Sequence, residues 1–386
     1  MEVIVCTGEA QADWAIVHMS DLHQGFVNIG VDATHVHLVD GDMDGFRQMI
    51  AAKQAAGDKF FIVSQNGGAP GDGAAKFNFV GDHPLDHYQT ISDPSENAIY
   101  SFVDRRQTDL GCLRLDNPPK AIFCPTGAPK ATAEPLAMAA RDIDILFSGS
   151  IFFDPDRASW GTRFGDNDLL RDIFTDAVDA CIEEYEDAYR AIVRAREARS
   201  VDPLEMELDL LRSLFGLVEG CCQAQQRHQI ISSLRDVNVV VMGEFPSNAF
   251  DASVNVELIG YKSFTEALEM MGRSKVALNI VPKFSDGAHE RIFYGMAAGA
   301  VVLTTTSDYV AETFTDNENI LFIERGGKFD AAAVADLLAD TKRLDEMTAS
   351  ARVLFEAGHT WDVRAKVIVE KMDSRLRGND EGKTRE

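Results

Sequence analysis

Three adjacent polar residues, His289-Glu290-Arg291, stand between an apolar run that ends at Asn279 and a second one that begins after Gly299. A loop containing Pro282 and Gly287 leads into them, and the small residues AAGA at 297–300 follow. The order reads as strand, loop, helix, strand, with the three polar side chains at the helix entry. In an open parallel sheet, ligands bind in the crevice beyond the carboxyl ends of the strands. A helix start offers unpaired N–H groups and the positive end of a dipole, so it suits an anion. Arg291 adds a cation that keeps its proton, and Glu290 can accept from two hydroxyls at once. The residues therefore suit a molecule that is both phosphorylated and polyhydroxylated, and a nucleotide sugar meets both conditions. Ordinary capping would use the same residue types. Three of them in a row after a glycine-containing loop, with small residues behind that let the helix lie close to the sheet, go beyond capping.

A second constellation is Asp82-His83-Pro84, at the end of the apolar run KFNFV. A histidine there can act as base or donor near neutral pH, and a neighbouring aspartate can fix its tautomer. Such strings also favour turns, which accounts for Pro84 but not for histidines at both 83 and 87. Asp104 and Arg105 form a similar pair after NAIYSFV.

The elements that must position these residues come from a chain of 386 residues, long enough for two ordinary domains. Its 45 % hydrophobic and 26 % charged residues are a globular composition. A formal charge of −25 argues against nucleic acid or an anionic membrane surface as a general partner. An anionic sugar nucleotide would need local donors such as Arg291 to work against that field. Acidity is concentrated in 165–220, where EEYED and EMELD read as a solvated helix face. The six cysteines form no C-x-x-C pair and have no histidine at metal-like spacing. The chain opens on the strand-like VIVCTG without a basic-then-apolar leader, and no apolar stretch approaches ~18 residues. A reduced, cytoplasmic protein with no transmembrane segment is expected.

Two blocks of alternating strand and helix patterns predict an α/β protein with parallel sheets. In the first, strands are expected at 3–8, 33–40, 59–68, 76–88, 97–104 and 121–127, with helices at 14–29 and 45–56. Gly30 is a plausible helix stop, and 128–141 reads as a linker. The second block opens with a strand at 143–150 and continues through two long helical patterns, 167–197 and 203–235. Strands at 237–244, 255–261, 275–280 and 300–305 follow, with helices at 263–271 and 289–297 between them. The segment 314–323, a helix near 330–355 and a last helix at 361–372 complete it. The polar tail 373–386 is expected to be disordered.

The segments DIDILFSGS, RHQIISSL, VNVVVMGE, VELIGYKSFTEALEMMGRSKVALNIVPKF, GAHERIFYGMAAGAVVLTTTSDYVAETF and HTWDVRA span about 143–372. Together they resemble the GT-B glycosyltransferases, in particular the group-1, CgeB-like type. Over the first block the likeness rests on the Rossmann-like pattern and on FVGDHPLDHY. The resemblance implies two Rossmann-like domains facing a central cleft. The acceptor-side domain would cover 1–141. The nucleotide-sugar-binding domain would cover 142–360, with a helical insertion at about 165–235. The helix 361–372 would cross back to the first domain. The resemblance places Gly149 and Ser150 near the donor phosphates, with Gly243 and Glu244 in the corresponding position after the next strand. It puts Gly260 and Tyr261 at the base, and Asn279, Gly287, His289, Glu290 and Arg291 toward the phosphate and sugar, Arg291 being the pyrophosphate partner. Asp82, His83 and Glu290 are the catalytic candidates. Many relatives carry a carboxylate, assigned to the ribose, where Tyr294 stands here. Glu290 or a water would have to take that role.

Sugar transfer passes through an oxocarbenium-like state while negative charge grows on the departing diphosphate, so preorganised donors there are the main contribution a protein can make. No D-x-D pair is placed to hold a metal against the diphosphate, since GDMDG (41–45) falls in the acceptor-side block. The expectation is a metal-independent glycosyltransferase with no cofactor. The nucleotide sugar is its co-substrate, and its acceptor is a glycan or protein of bacterial-type cell-surface glycosylation. The group-1 likeness favours retention of configuration. A nucleotide-sugar epimerase would share the fold but would need cleft carboxylates beyond Glu290. A non-catalytic nucleotide-binding protein is the third reading, suggested by Tyr294 and the acidic helices. Those helices are also a candidate surface for homo-oligomer formation or acceptor docking, because an amphipathic pair must bury its apolar stripe somewhere.

Overall fold

The computed structural model describes the chain apart from residues 9–10, 39–41, 68, 70–72, 93–96, 132, 185, 203–204, 247–248, 251–253 and 384–386. The chain forms two compact units, Met1–Thr132 with Leu354–Glu386 and Ala133–Val353. Parts of the expected 59–68 strand and of GDMDG lie outside the described residues.

The first unit is built on six strands: β1 (Glu2–Gly8), β2 (Asp32–Leu38), β3 (Phe60–Gln65), β4 (Lys76–Val80), β5 (Ala98–Phe102) and β6 (Lys120–Phe123). They pair in the order β2-β1-β3-β4-β5-β6, every pair parallel. The central strands are continuous apolar runs because both faces are covered. Val3 and Val5 pack on one face with Phe61, Phe77 and Trp361, while Ile4 and Cys6 pack on the other with Phe46 and Ile50. The run expected at 76–88 stops as a strand at Val80. Pro84–His87 is a single 3₁₀ turn, because proline fits the first position of a helical turn but cannot donate to a ladder.

The Trp361–Lys383 helix belongs to this unit and packs on the Asp13–Asn28 helix. Gly25 makes the close crossing feasible, since a Cβ there would stand 2.8 Å from the Trp361 backbone. The Trp361 ring is 1 % exposed and meets Phe79 edge-on at 5.9 Å. Arg364 ties down the helix start through Thr126 O at 3.1 Å, Gly358 O at 3.0 Å and the His359 ring at 3.1 Å. The helix runs past the expected end at 372, so the segment expected to be disordered is helical to Lys383. Propagation from an anchored helix costs far less than nucleation.

The second unit has β7 (Ile143–Ser148), β8 (Val239–Met242), β9 (Val256–Leu258), β10 (Ser274–Asn279), β11 (Val301–Thr305) and β12 (Leu321–Ile323). Their order is β12-β11-β10-β7-β8-β9, again parallel throughout. The order reverses at β7, and the carboxyl edge there is where such sheets bind ligands. The insertion between β7 and β8 contains helices Asp168–Glu183, Ala188–Glu197 and Leu208–Ser233. The single pattern expected over 167–197 is broken because Asp187 accepts from the Arg190 N–H and starts a new helix. Phe174, Ala177, Ile192, Leu211, Phe215 and Val218 are buried within the unit. The pattern expected at 330–355 is likewise two helices, Ala331–Ala339 and Thr341–Gly358.

The boundary falls before Ala133 rather than after residue 141, and Arg141 is the reason. Its guanidinium donates to Leu136 O at 3.0 Å, Ser274 O at 2.6 Å, Met271 O at 3.4 Å and Ala298 O at 3.0 Å. It therefore sits at the carboxyl ends of helices Phe264–Arg273 and Glu290–Ala297, where a cation complements both dipoles. None of the helices among the described residues is long and apolar enough to cross a membrane.

Trp361→Ala should lower the stability of the first unit by about 3–5 kcal/mol, the cost of truncating a fully buried indole. Urea unfolding followed by circular dichroism measures it, and a loss below about 1 kcal/mol would show that the last helix is not anchored through this ring.

Candidate functional site: the carboxyl edge of the second sheet

The loops after β7, β8 and β9 are bonded to one another through their backbones. Gly149 N–H donates to Met242 O at 2.8 Å, Ile151 N–H to Glu244 O at 2.9 Å, and Gly243 N–H to Gly260 O at 3.0 Å. The Ser150 hydroxyl accepts from the Glu244 N–H at 2.9 Å. Gly243 has φ +150°, and a Cβ there would lie 2.2 Å from Gly149 O. Only glycine allows the two loops to approach this closely. The structure thus brings Gly149, Ser150, Gly243, Glu244 and Gly260 together. Tyr261, 68 % exposed, follows them on the outer side.

Two arginines reach this edge. Arg227, near the end of the Leu208–Ser233 helix, is 5 % exposed. Its Nη1 donates to Ser150 O, its Nε to Ile280 O at 3.4 Å, and its guanidinium lies 5.4 Å from the centre of the Phe147 ring. Gly149 has no Cβ because one would stand 3.0 Å from the Phe147 ring and 3.4 Å from the guanidinium carbon. Arg291 lies in the first turn of the Glu290–Ala297 helix, and its buried Nη1 has no hydrogen-bond partner among the described residues. Burial lowers the pKa of both groups; Glu290 opposes the shift at Arg291, and the positive charge of Arg291 lowers Arg227 further. Both still carry their protons, because arginine starts so high. The result is two like charges, Arg291 at a helix start beside Glu290 and Arg227 against the β7 and β10 loops.

His289 is the N-cap of that helix. Its Nδ1 lies 3.4 Å from the Arg291 N–H and 3.0 Å from the Glu290 carboxylate. Nδ1 accepts from the Arg291 N–H to cap the helix, and the same nitrogen faces the carboxylate, so it serves one partner at a time. Burial pushes the His289 pKa down to about 4 against the opposing pull of Glu290, so the ring is neutral at pH 7. The preceding loop is braced from behind. Ser307 Oγ donates to Gly287 O at 2.5 Å, and Arg325 donates to Ser285 O at 2.7 Å and to the Asp308 carboxylate at 2.5 Å.

Asn279 is buried, and its amide donates to Thr304 Oγ1 at 2.9 Å, so it ties β10 to β11. Tyr294 is buried edge-on against Phe264 at 5.2 Å. The close approach of this helix to the sheet is made by Gly295, where a Cβ would stand 3.0 Å from Val302 and 3.2 Å from Ala277. The small residues at 297–300 were expected to do this, but they fall at the helix end beside Arg141 and Pro135.

Asp82 and His83 lie in the first unit, just beyond β4. The His83 ring is 5 % exposed and caps the Pro84–His87 turn, Nδ1 accepting from the Leu85 N–H at 3.2 Å. That bond puts the ring hydrogen on Nε2. The Asp82 carboxylate lies 3.7 Å from His87 Nε2. Asp104 is buried and accepts from the Arg106 N–H at 2.8 Å, capping the turn at 105–108.

Residues 225–370 match a family model described as glycosyl transferase-like. Two solved structures share the fold. AviGT4, a glycosyltransferase involved in avilamycin A biosynthesis, is 13 % identical over 98 % of both chains, with a TM-score of 0.52. An α-glucosyltransferase in complex with UDP is 8 % identical over 97 % of this chain and 100 % of that one, with a TM-score of 0.53. No curated protein matches the sequence. The chain carries a glycosyltransferase-like domain on a GT-B fold. Fold and domain together are those of a transferase.

Arg227 opens the segment RHQIISSL, which carries the resemblance but no site role, and it stands three and four residues before the buried Ile230 and Ile231. A charge on the apolar face of a helix is the signal that could have found it. Arg325 and Ser307 carry no such signal, because the loop carbonyls they hold are brought to them by folding.

Two outcomes follow for the site. Gly243→Ala should separate the Gly149 and Gly243 loops and lower the thermal midpoint, since its Cβ has no room; an unchanged midpoint would contradict the close approach. The His289 pKa of about 4 lies below the ordinary 6.5, so folding favours the neutral ring. Its contribution is complete above pH 6.5 and is lost as pH falls toward 4, a change of about 3 kcal/mol at most. His289→Asn keeps a capping side chain and should flatten the stability profile of the second unit over that interval.

Proposed function

We propose that the chain is a metal-independent glycosyltransferase of the group-1, CgeB-like type, using a nucleotide sugar as co-substrate and no cofactor. The observation that carries this reading is the pair of like-charged guanidiniums, Arg227 and Arg291, at the carboxyl edge of a GT-B sheet beside a helix start. Two positive charges fit the diphosphate of the donor. They stabilise the negative charge that grows on it as the sugar leaves. The solved neighbour that holds UDP shares this fold, which supports a nucleoside diphosphate as the ligand class.

In this reading Arg291 and the amides at Gly287–Glu290 hold the diphosphate, with the Gly149-Ser150 loop on its other side. The segment Gly243-Glu244 and Gly260-Tyr261 takes the nucleoside, and the exposed Tyr261 ring offers a stacking face. Glu290, with His289 beside it, serves the sugar hydroxyls. Asn279 supports the site by holding β10 to β11. Asp82 and His83 are assigned to the acceptor side, where His83 Nε2–H acts as a donor. The acceptor is a cell-surface glycan or a protein, the reaction takes place in the cytoplasm, and the helical insertion is the surface for self-association or acceptor docking.

Incubation with a panel of nucleotide sugars, following release of nucleoside diphosphate, tests the reading. Release should require an acceptor, persist in chelator, and fall by about 100-fold in Arg291→Ala, the usual cost of removing a donor to developing charge. Interconversion of sugars without net release would establish an epimerase instead. Stabilisation by nucleotide with no turnover would establish a binding protein.

A further inference from the structure

The Leu208–Ser233 helix belongs to the insertion, yet it delivers Arg227 to the carboxyl edge of the sheet. The two carbonyls that Arg227 holds come from different loops: Ser150 O from the loop after β7, and Ile280 O from the stretch after β10 that leads to His289. A planar fork bonded to both sets the distance between the two loops assigned to the donor phosphates. Resting on that assignment, we propose that Arg227 is a positioning residue for the donor diphosphate. It fixes the separation of the two loops and adds a second positive charge beside Arg291, leaving a charge imbalance that the bound anion relieves.

The charge pattern supports this over a purely structural role. A buried arginine that only stabilises the fold has its charge matched, because an unmatched buried ion costs several kcal/mol. Among the described residues Arg227 forms no ion pair, and the charge that bears on it is that of Arg291, of the same sign. Carbonyl dipoles and the Phe147 face offset the desolvation only in part. Such residual strain is stored at sites whose ligand removes it. The insertion thereby becomes part of the donor site through one helix.

Full-length Arg227→Met and Arg227→Lys separate the two roles. Binding of inorganic pyrophosphate, UDP, GDP and ADP is measured by calorimetry, alongside the thermal midpoint of the free protein. Arg227→Met should weaken pyrophosphate binding at least tenfold while its midpoint stays level or rises, because an unbalanced charge has gone. Arg227→Lys keeps the charge without the fork and should recover part of that affinity. Wild-type affinity in both variants, or a lower midpoint with affinity unchanged, overturns the inference. If Arg227→Met does not fold, Arg227→Lys decides: affinity equal to wild type overturns the inference, and a several-fold loss upholds it. If the unaltered protein binds none of the four ligands, the donor reading itself fails. If it binds and the variants match it, only the role of Arg227 fails.

Discussion

The carboxyl edge of the second sheet is organised around a buried guanidinium, Arg227, whose neighbouring charge is another arginine. Taking a guanidinium out of water costs several kcal/mol unless carbonyls, an aromatic face or an opposite charge replace the lost hydration. For Arg227 the replacements are two carbonyls and the Phe147 ring, with no carboxylate among the charges acting on it. This requirement shapes the neighbours. A Cβ at Gly149 would press on the Phe147 ring that the guanidinium faces, and Gly243 must lack one for Gly149 to be where it is. The β7 loop has to keep its carbonyls turned inward, and it does so because its amides are bonded to the strand and loop beside it.

Preorganisation follows from the same bonds. Ser150 is fixed from both ends, its hydroxyl by the Glu244 amide and its carbonyl by Arg227. The loop before His289 is held by Ser307 and Arg325, which reach it from the segments after β11 and β12. A site whose donors are already aimed pays no reorganisation when charge develops, and this is how electrostatic catalysis gains its effect. The overall charge of −25 makes the local arrangement more telling, because the surrounding field opposes an anionic ligand.

The alternation of apolar runs and helical patterns was enough to predict both sheets, since buried parallel strands are continuous and hydrophobic whatever their partners. The placement of His289, Glu290 and Arg291 at a helix start was legible because a strand, a loop and a helix pattern fall together in one short segment. Arg227 was not, because its role depends on carbonyls 77 and 53 residues away in the chain. The helix start at Asp187 was hidden for a different reason. Its acidic residues suit a solvated helix face as well as they suit a cap, and only the Asp187 contact with the Arg190 amide separates the two. The last helix extends past residue 372 because low hydrophobicity argues against an independent core but not against extension of an anchored helix.

Arg141 and Arg227 are two buried arginines of the same unit whose electrostatic surroundings differ. Both are 5 % exposed, and burial lowers the pKa of both. Arg141 faces the negative ends of two helices, and Asp345 adds an opposite charge that raises its pKa again. Its environment is balanced, and its role ends with holding those helices together. Arg227 has carbonyl partners too, but the nearby charge is Arg291, and the balance is left open on the side where the sheet order reverses. Burial alone does not separate the two residues. The sign of the neighbouring charge does, and at Arg227 it calls for an anion.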